Sequence, residues 1–278
     1  MSEAVLYREQ WHTPELVYWG VCASMIACFV VTLALAALDG RTIDGAVSVW
    51  AKPLKFELSL AIHAATLALV MTVLAPSLRS SLLMTLVAAA FLAACLVEMA
   101  YIIGQAARAE HSHYNVSTPF HRLMWSLMAF AAVIIIGTAG ALGTAVLFGS
   151  QESVAPALKW AIVLGLIGGT LLTLYTAFTI GGRMSPYVGP LPYGTEARMV
   201  LTGWSLVGGD LRVSHFLATH MIQVLPLAGL AAAYLAPGRF GVALVMVVAV
   251  MWAGLTLSEY GRALGGAPSP LAVFFKAT

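Results

Sequence analysis

Residues 208–235 read GGDLRVSHFLATHMIQVLPLAGLAAAYL, and this stretch decides the fold. From Leu211 to Leu235 it carries one formal charge, Arg212, placed at its very start. A bilayer core takes about 20 apolar residues of helix, so this run is long enough to cross. Gly208-Gly209 supplies a turn and Asp210 an N-cap. With Arg212 at zero and about 100° per residue, His215 falls near −60°, Thr219 near −20°, Gln223 near +20° and His220 near +80°. The polar groups past the cap therefore share an arc of about 140°. Lipid offers such an arc no hydrogen bonds, so it is expected to face the interior of a bundle. Pro226, one turn after Ile222, is expected to kink the helix beside it.

Six further runs of this kind flank it. The expected spans are Leu16–Leu38, Pro53–Leu74, Leu82–Gln105, Pro119–Phe148, Ala155–Ile180, Leu211–Leu235 and Phe240–Leu264. Thr118-Pro119 reads as an N-cap followed by Pro at the first helical position, and Gly181-Gly182 as a helix stop. Of the 278 residues, 60% are hydrophobic and 9% charged, against roughly a quarter charged in a soluble domain. Mean hydropathy is +0.90. Soluble globular, disordered, coiled-coil and DNA-binding classes are excluded, and no nucleic-acid partner is expected. The chain reads as an all-α polytopic membrane protein with a bundle of seven transmembrane helices. An interfacial tail covers residues 1–15, the membrane domain 16–265 and a C-terminal tail 266–278. No internal repeat of the inverted transporter type is visible.

The first span is too long for the apolar part of a signal peptide, and the tail before it is acidic (Glu3, Glu9, Glu15). Arg8, Arg79, Lys159 and Arg239 fall on the side of this tail, and the other ten of the fourteen Lys and Arg on the opposite side. By the positive-inside rule the N-terminus is outside and the C-terminus cytoplasmic, in a bacterial inner membrane. Cys22, Cys28 and Cys95 sit inside apolar runs without CxxC spacing, so neither disulfides nor a cysteine-zinc knuckle is expected. Ala161, Gly165 and Gly169 form a small-residue seam suited to close helix contact.

Function is read from where the remaining polar residues fall. Six of the seven histidines, His63, His111, His113, His121, His215 and His220, lie in the cytoplasmic half with Glu57, Glu98, Asp210 and Glu259. The third span carries a stripe of Glu98, Tyr101, Gln105 and Arg108, and the second carries Lys55, Ser59 and His63 at four-residue steps. His63 and His220 each lie ten residues inside their helix starts, roughly 15 Å deep, and Glu98 roughly 10–15 Å. His63, Glu98 and His220 are thus the candidate metal ligands. Glu98, His113, His121 and His215 are the candidate catalytic or proton-carrying groups. Lys55, Arg108, Asp210, Arg212 and Gln223, with Lys52, are placed to hold an anionic head group or propionates. Glu259 and Arg262 read as a structural ion pair. The opposite halves of the spans are almost wholly Ala, Leu, Val, Ile and Met, so no polar route to the far face is expected.

Two imidazoles and a carboxylate suit a transition metal, iron or zinc, and two imidazoles alone suit haem b. The leading expectation is a metal- or haem-binding oxidoreductase acting on a lipophilic substrate or quinone. Its partners would be membrane lipid, a lipophilic or anionic-headed small molecule, and a second copy or another membrane-complex subunit. Two other readings stand beside it: a proton-coupled transporter or sensor, and a zinc-dependent hydrolase of lipid amides or esters. The HxxxH and HxxHH boxes of membrane desaturases do not occur, and no Lys lies between Phe240 and Leu264 to hold a retinal. Ser59-x3-His63 with Glu98 resembles the seven-helix zinc hydrolases of the alkaline ceramidase and adiponectin-receptor type. In those the acid follows on the third helix and a His-x3-His comes late. Here the late pair is His215-x4-His220, on the sixth helix. The resemblance implies a metal that polarises a carbonyl and activates water, with Ser59 helping to hold the oxyanion.

Overall fold

The computed structural model describes residues 12–43, 47–200, 202–236 and 238–274. The tail expected over residues 1–15 therefore lies outside the described residues as far as residue 11, and the C-terminal tail from residue 275 onward. Seven helices are long and apolar enough to cross a membrane: Thr13–Leu38, Ala51–Met71, Leu82–Ala107, Pro119–Gly149, Pro156–Arg183, Leu211–Leu235 and Arg239–Leu264. We call these the first to seventh spans. The remaining regular structure is slight, with short helices Pro76–Arg79 and Pro270–Phe274 and two pairs of two-residue strands.

Local chemistry sets the helix starts. The Thr118 side chain accepts from His121 N–H at 3.1 Å, with Pro119 at the first turn. Ser81 accepts from Met84 N–H and Asp210 from Arg212 N–H. Each satisfies a donor that the first helical turn leaves open. The fifth span runs through Gly181-Gly182 and ends only at Met184, whose φ of 52° is left-handed. The glycine pair is tolerated inside the last turn, and the stop comes where the backbone leaves the right-handed region.

The bundle has two differently built parts. Spans one to four, with the start of the fifth, share the main core, in which Tyr18, Phe91, Leu67, Met71, Met128 and Leu142 are fully buried. Spans five, six and seven meet through small residues instead. A methyl group placed on Gly165 would lie 2.9 Å from Pro226 Cδ, and one on Gly169 2.7 Å from Ile222 Cγ1. One on Gly229 would collide with Ala161 Cβ. The seam read from Ala161, Gly165 and Gly169 is therefore the contact between the fifth and sixth spans. Around it the fifth helix widens to an i→i+5 turn over Leu164–Gly168, opposite Pro226.

At one end, the connection between the fifth and sixth spans folds over the bundle. Tyr187–Val188 pairs antiparallel with Gly209–Asp210, and Leu211 N–H donates to the Pro186 carbonyl at 2.9 Å. The same end holds the loop from Arg108 to Thr118, so the polar residues of four spans are gathered beneath these two connections.

Candidate functional site

The innermost polar groups come from the first three spans. Glu98 is 1% exposed, and neither of its carboxylate oxygens has a hydrogen-bond partner among the described residues. The cation facing it is Lys52, on the first turn of the second span. His63, on the same helix, is buried with its ring stacked on Phe91, centroids 5.8 Å apart. Its ring interacts with the Ile135 backbone and lies within electrostatic reach of His220. His63 Nε2 has no partner among the described residues, and neither does the hydroxyl of Tyr18, whose ring sits 5.3 Å from the same Phe91. His63 and Tyr18 thus bring unsatisfied polar atoms to one phenyl ring, and Glu98 lies two turns further along the helix that carries it. The stripe continues toward the loop. Gln105 Nε2 donates to Glu110 Oε2 at 3.1 Å and to the His111 carbonyl at 3.2 Å.

Above this layer lies a network in which Asp210 and Arg212 are fully engaged, while Arg198 Nε has no partner among the described residues. Arg212 donates to Asp210 through Nε at 2.9 Å and Nη2 at 2.5 Å, to Tyr187 Oη at 3.0 Å and to the Gly203 carbonyl at 2.9 Å. Its guanidinium also lies 4.9 Å from the Tyr187 ring centroid. Asp210 further accepts from Ser205 N–H at 2.9 Å. Arg198 donates to Tyr187 Oη at 2.6 Å, and Lys55 Nζ to the Thr202 carbonyl at 2.9 Å. Four cations, Lys52, Lys55, Arg198 and Arg212, therefore surround one connection with Asp210 as the buried anion among them.

His113 bridges the two layers. Phe56, Tyr114 and Trp125 surround its ring at 5.7, 6.3 and 5.5 Å, and Ser112 Oγ meets its Nδ1 at 3.3 Å. Burial in this box, together with the nearby Lys52 charge, pushes its pKa well below the usual imidazole range. Burial likewise raises the Tyr114 phenol to about 12. Both loop groups are thus neutral at physiological pH.

Other expected site residues are placed elsewhere. His121 Nδ1 meets Ser117 Oγ at 2.9 Å and Thr118 Oγ1 at 3.1 Å, and its Nε2 meets Glu110 Oε2 at 3.4 Å, so it closes the cap of the fourth span. His215 turns to the fifth span, its Nδ1 3.0 Å from Thr176 Oγ1 and its ring against the Thr173 backbone. His220 points the other way, its Nδ1 3.2 Å from Gln223 Oε1 and its ring on Phe216. The polar arc of the sixth span is therefore half-buried and divided between two neighbours. The fully buried face of that helix is Ser214, Leu217, Ala218, Met221, Ile222 and Leu225. Arg108 is exposed and bonds the Gly104 carbonyl, Ser59 is exposed, and Glu259 lies 3.9 Å from Arg262.

For a metal, the donor set must converge. Among the described residues no group of three or more His, Cys, Asp or Glu side chains is close enough to hold an ion. Lys52 already supplies the positive charge that faces Glu98. The residues present thus do not fit the expected three-ligand centre of His63, Glu98 and His220. The sequence reading also missed polar groups that the structure buries: Tyr18, the Glu15–Arg79 ion pair and the Thr32 hydroxyl donating to Glu57 at 2.7 Å. Glu15 was legible only as a tail charge, because its partner lies in a loop between other spans. No family model matches the chain, and no curated protein or solved structure shows a significant similarity to it.

Proposed function

We propose that the chain is an integral membrane protein that binds a lipophilic small molecule with an anionic or carbonyl head. In this reading the head sits between Lys52 and Glu98, and its far end reaches toward His63, deeper on the helix that carries Lys52. The observation that supports it is Glu98, a carboxylate buried among apolar helices with neither oxygen bonded among the described residues. Such a group is costly and is kept in membrane helices chiefly where a ligand, water or proton uses it. Lys52 attracts a negative or carbonyl oxygen, His63 Nε2 offers a second polar contact, and Glu98 gives or takes a proton as the head changes charge. Phe56, Phe91 and the Tyr114–Trp125 pair supply apolar walls.

A quinone or related lipophile fits this chemistry, and an oxidoreductase is the reaction class we favour. Its electrons would come from a partner subunit. The orientation proposed is N-terminus out and C-terminus in, across a bacterial inner membrane, with the site opening to the cytoplasmic side.

Titration of the purified chain with a short-tailed benzoquinone, read by quenching of tryptophan fluorescence, tests the reading. Saturable binding weakened by Glu98→Gln and by Lys52→Ala is expected. Absence of binding overturns it. An absorption spectrum and metal analysis of the same sample separate the cofactor-bearing form from the cofactor-free one.

A further inference from the structure

Buried polar side chains run from one end of the bundle to the other through spans one, three and two. Where the first span begins, Glu15 and Arg79 are paired, 2% and 8% exposed, with Arg79 Nη2 donating to Glu15 Oε2 at 2.8 Å. Tyr18 follows one turn along the same helix face. It is 0% exposed and its hydroxyl is unpartnered among the described residues. Val17 and Val21, its neighbours on the helix, line a cleft of about 220 Å³ together with Leu92, Cys95 and Leu96. The Tyr18 ring packs on Phe91, one turn before Cys95 on the third span, and Cys95, 1% exposed, lies within electrostatic reach of Tyr18. Glu98 comes one turn after Cys95 with both oxygens open, and Lys52 faces it. Lys52 in turn lies within electrostatic reach of His113 and Arg212 at the opposite end. His63 joins from the side across Phe91.

A structural hydrogen-bond core would show these groups bonded to one another. Instead the Tyr18 hydroxyl, both Glu98 oxygens and His63 Nε2 are open, and buried polar atoms of that kind ordinarily hold water. Phenol, thiol and carboxyl groups linked by water can each accept one proton while releasing another. Among the described residues, the titratable groups buried on the helices around Glu98 are Glu15, Tyr18 and Cys22 on the first span, Glu57 and His63 on the second with half-buried Lys52, and Cys95 and Tyr101 on its own. Of these, Glu57 is bonded to Thr32 and lies outside the row.

We propose that Glu15, Tyr18, Cys95, Glu98 and Lys52 frame a water-threaded proton path across the bundle. A proton entering at Glu15 displaces one along the row, and one leaves beside Lys52 and His113. Only O–H, N–H and S–H bonds form and break, one for one, and one positive charge crosses. This path needs no bound lipophile, although Glu98 belongs to both the path and the lipophile site.

The test uses the full chain in vesicles of phosphatidylethanolamine and phosphatidylglycerol, with a pH-sensitive dye inside. Potassium loading with valinomycin sets an inside-negative potential. Wild-type vesicles are expected to acidify faster than protein-free ones. Glu98→Gln and Tyr18→Phe are each expected to fall to the protein-free rate, while Arg239→Gln, exposed at the start of the seventh span, conducts as wild type. Circular dichroism confirms that each variant is folded, and Tyr18→Phe removes only one oxygen. Wild-type vesicles as tight as protein-free ones overturn the proposal, as does undiminished flux in either path variant. Quinone binding retained by Tyr18→Phe keeps this outcome separate from that of the lipophile reading.

Discussion

Asp210 and Glu98 are both carboxylates almost wholly removed from solvent, 2% and 1% exposed, yet their surroundings are opposite. Asp210 caps a helix, accepts from the Ser205 and Arg212 backbones, and holds the Arg212 guanidinium through two bonds. Glu98 has an ammonium facing it and no hydrogen bond among the described residues. A fully bonded buried anion rigidifies what surrounds it, because every rearrangement must break several bonds at low dielectric. A buried anion with open oxygens gives the fold little and stays free to take up a proton, a water or a ligand. The first arrangement builds the lid over the bundle end. The second is the place where exchange can occur.

The largest effect should come from breaking the closed network. Arg212→Ala leaves Asp210 buried without its cation, a loss of about 3–5 kcal/mol for a fully buried pair. Arg212 keeps 33% of its side chain in solvent, so about 2–3 kcal/mol is expected after screening is discounted. Thermal unfolding in detergent should show this as a clear drop in Tm. Glu98→Gln, by contrast, should leave Tm unchanged or raised, since it removes an unbonded charge. If the two substitutions destabilised equally, the contrast between the regions would fail.

Next comes the seam that carries the sixth span, and with it both Asp210 and His220. Gly229→Val pushes a branched side chain against Ala161 and the Leu158 backbone. Overpacking of this kind costs about 1–3 kcal/mol. If Tm holds, the fifth and sixth spans are less closely packed than the glycine contacts require.

His113 sharpens the comparison through pH. Its folded pKa is depressed by burial and by Lys52. Above about pH 6.5 it is neutral whether folded or unfolded and contributes no slope. As pH falls below that, the unfolded chain takes up a proton that the folded one refuses. Stability should then drop by up to about 1.4 kcal/mol per pH unit until the folded pKa is reached. Tm measured at pH 7.5 and pH 5.5 should fall more steeply for wild type than for His113→Phe, which keeps the aromatic box. Equal slopes would show that His113 titrates alike in the folded and unfolded chain, so that burial in the aromatic box does not depress it.

Much of the fold was legible because a bilayer leaves the backbone few choices. Spans, the Thr118-Pro119 start, the Asp210 cap and the Ala161–Gly165–Gly169 seam all follow from residues close in sequence. The site was legible in depth but not in direction. Helical angles placed His215 and His220 on one arc, yet an angle on one helix says nothing about where its neighbours stand. Those neighbours divide the arc, His215 to Thr176 and His220 toward His63. The tertiary polar pairs were hidden for the same reason. Glu15 and Arg79 are 64 positions apart, and Tyr18 meets Phe91 and Cys95 only from another helix.

The smallest expected effect concerns His215, whose ring is bonded to the fifth span. Its Nδ1 is 3.0 Å from Thr176 Oγ1, and that hydroxyl also reaches the Leu172 and Thr173 carbonyls. Thr176→Val is close to isosteric and removes only the hydroxyl. Side-chain hydrogen bonds between membrane helices average about 0.6 kcal/mol and reach about 1.7, so a small Tm decrease within that range is expected. Since His215 serves the helix contact in this reading, quinone binding and proton flux should both be retained. A large loss of either, with Tm held, would move His215 from the closed region to the open one and place the working site between the fifth and sixth spans.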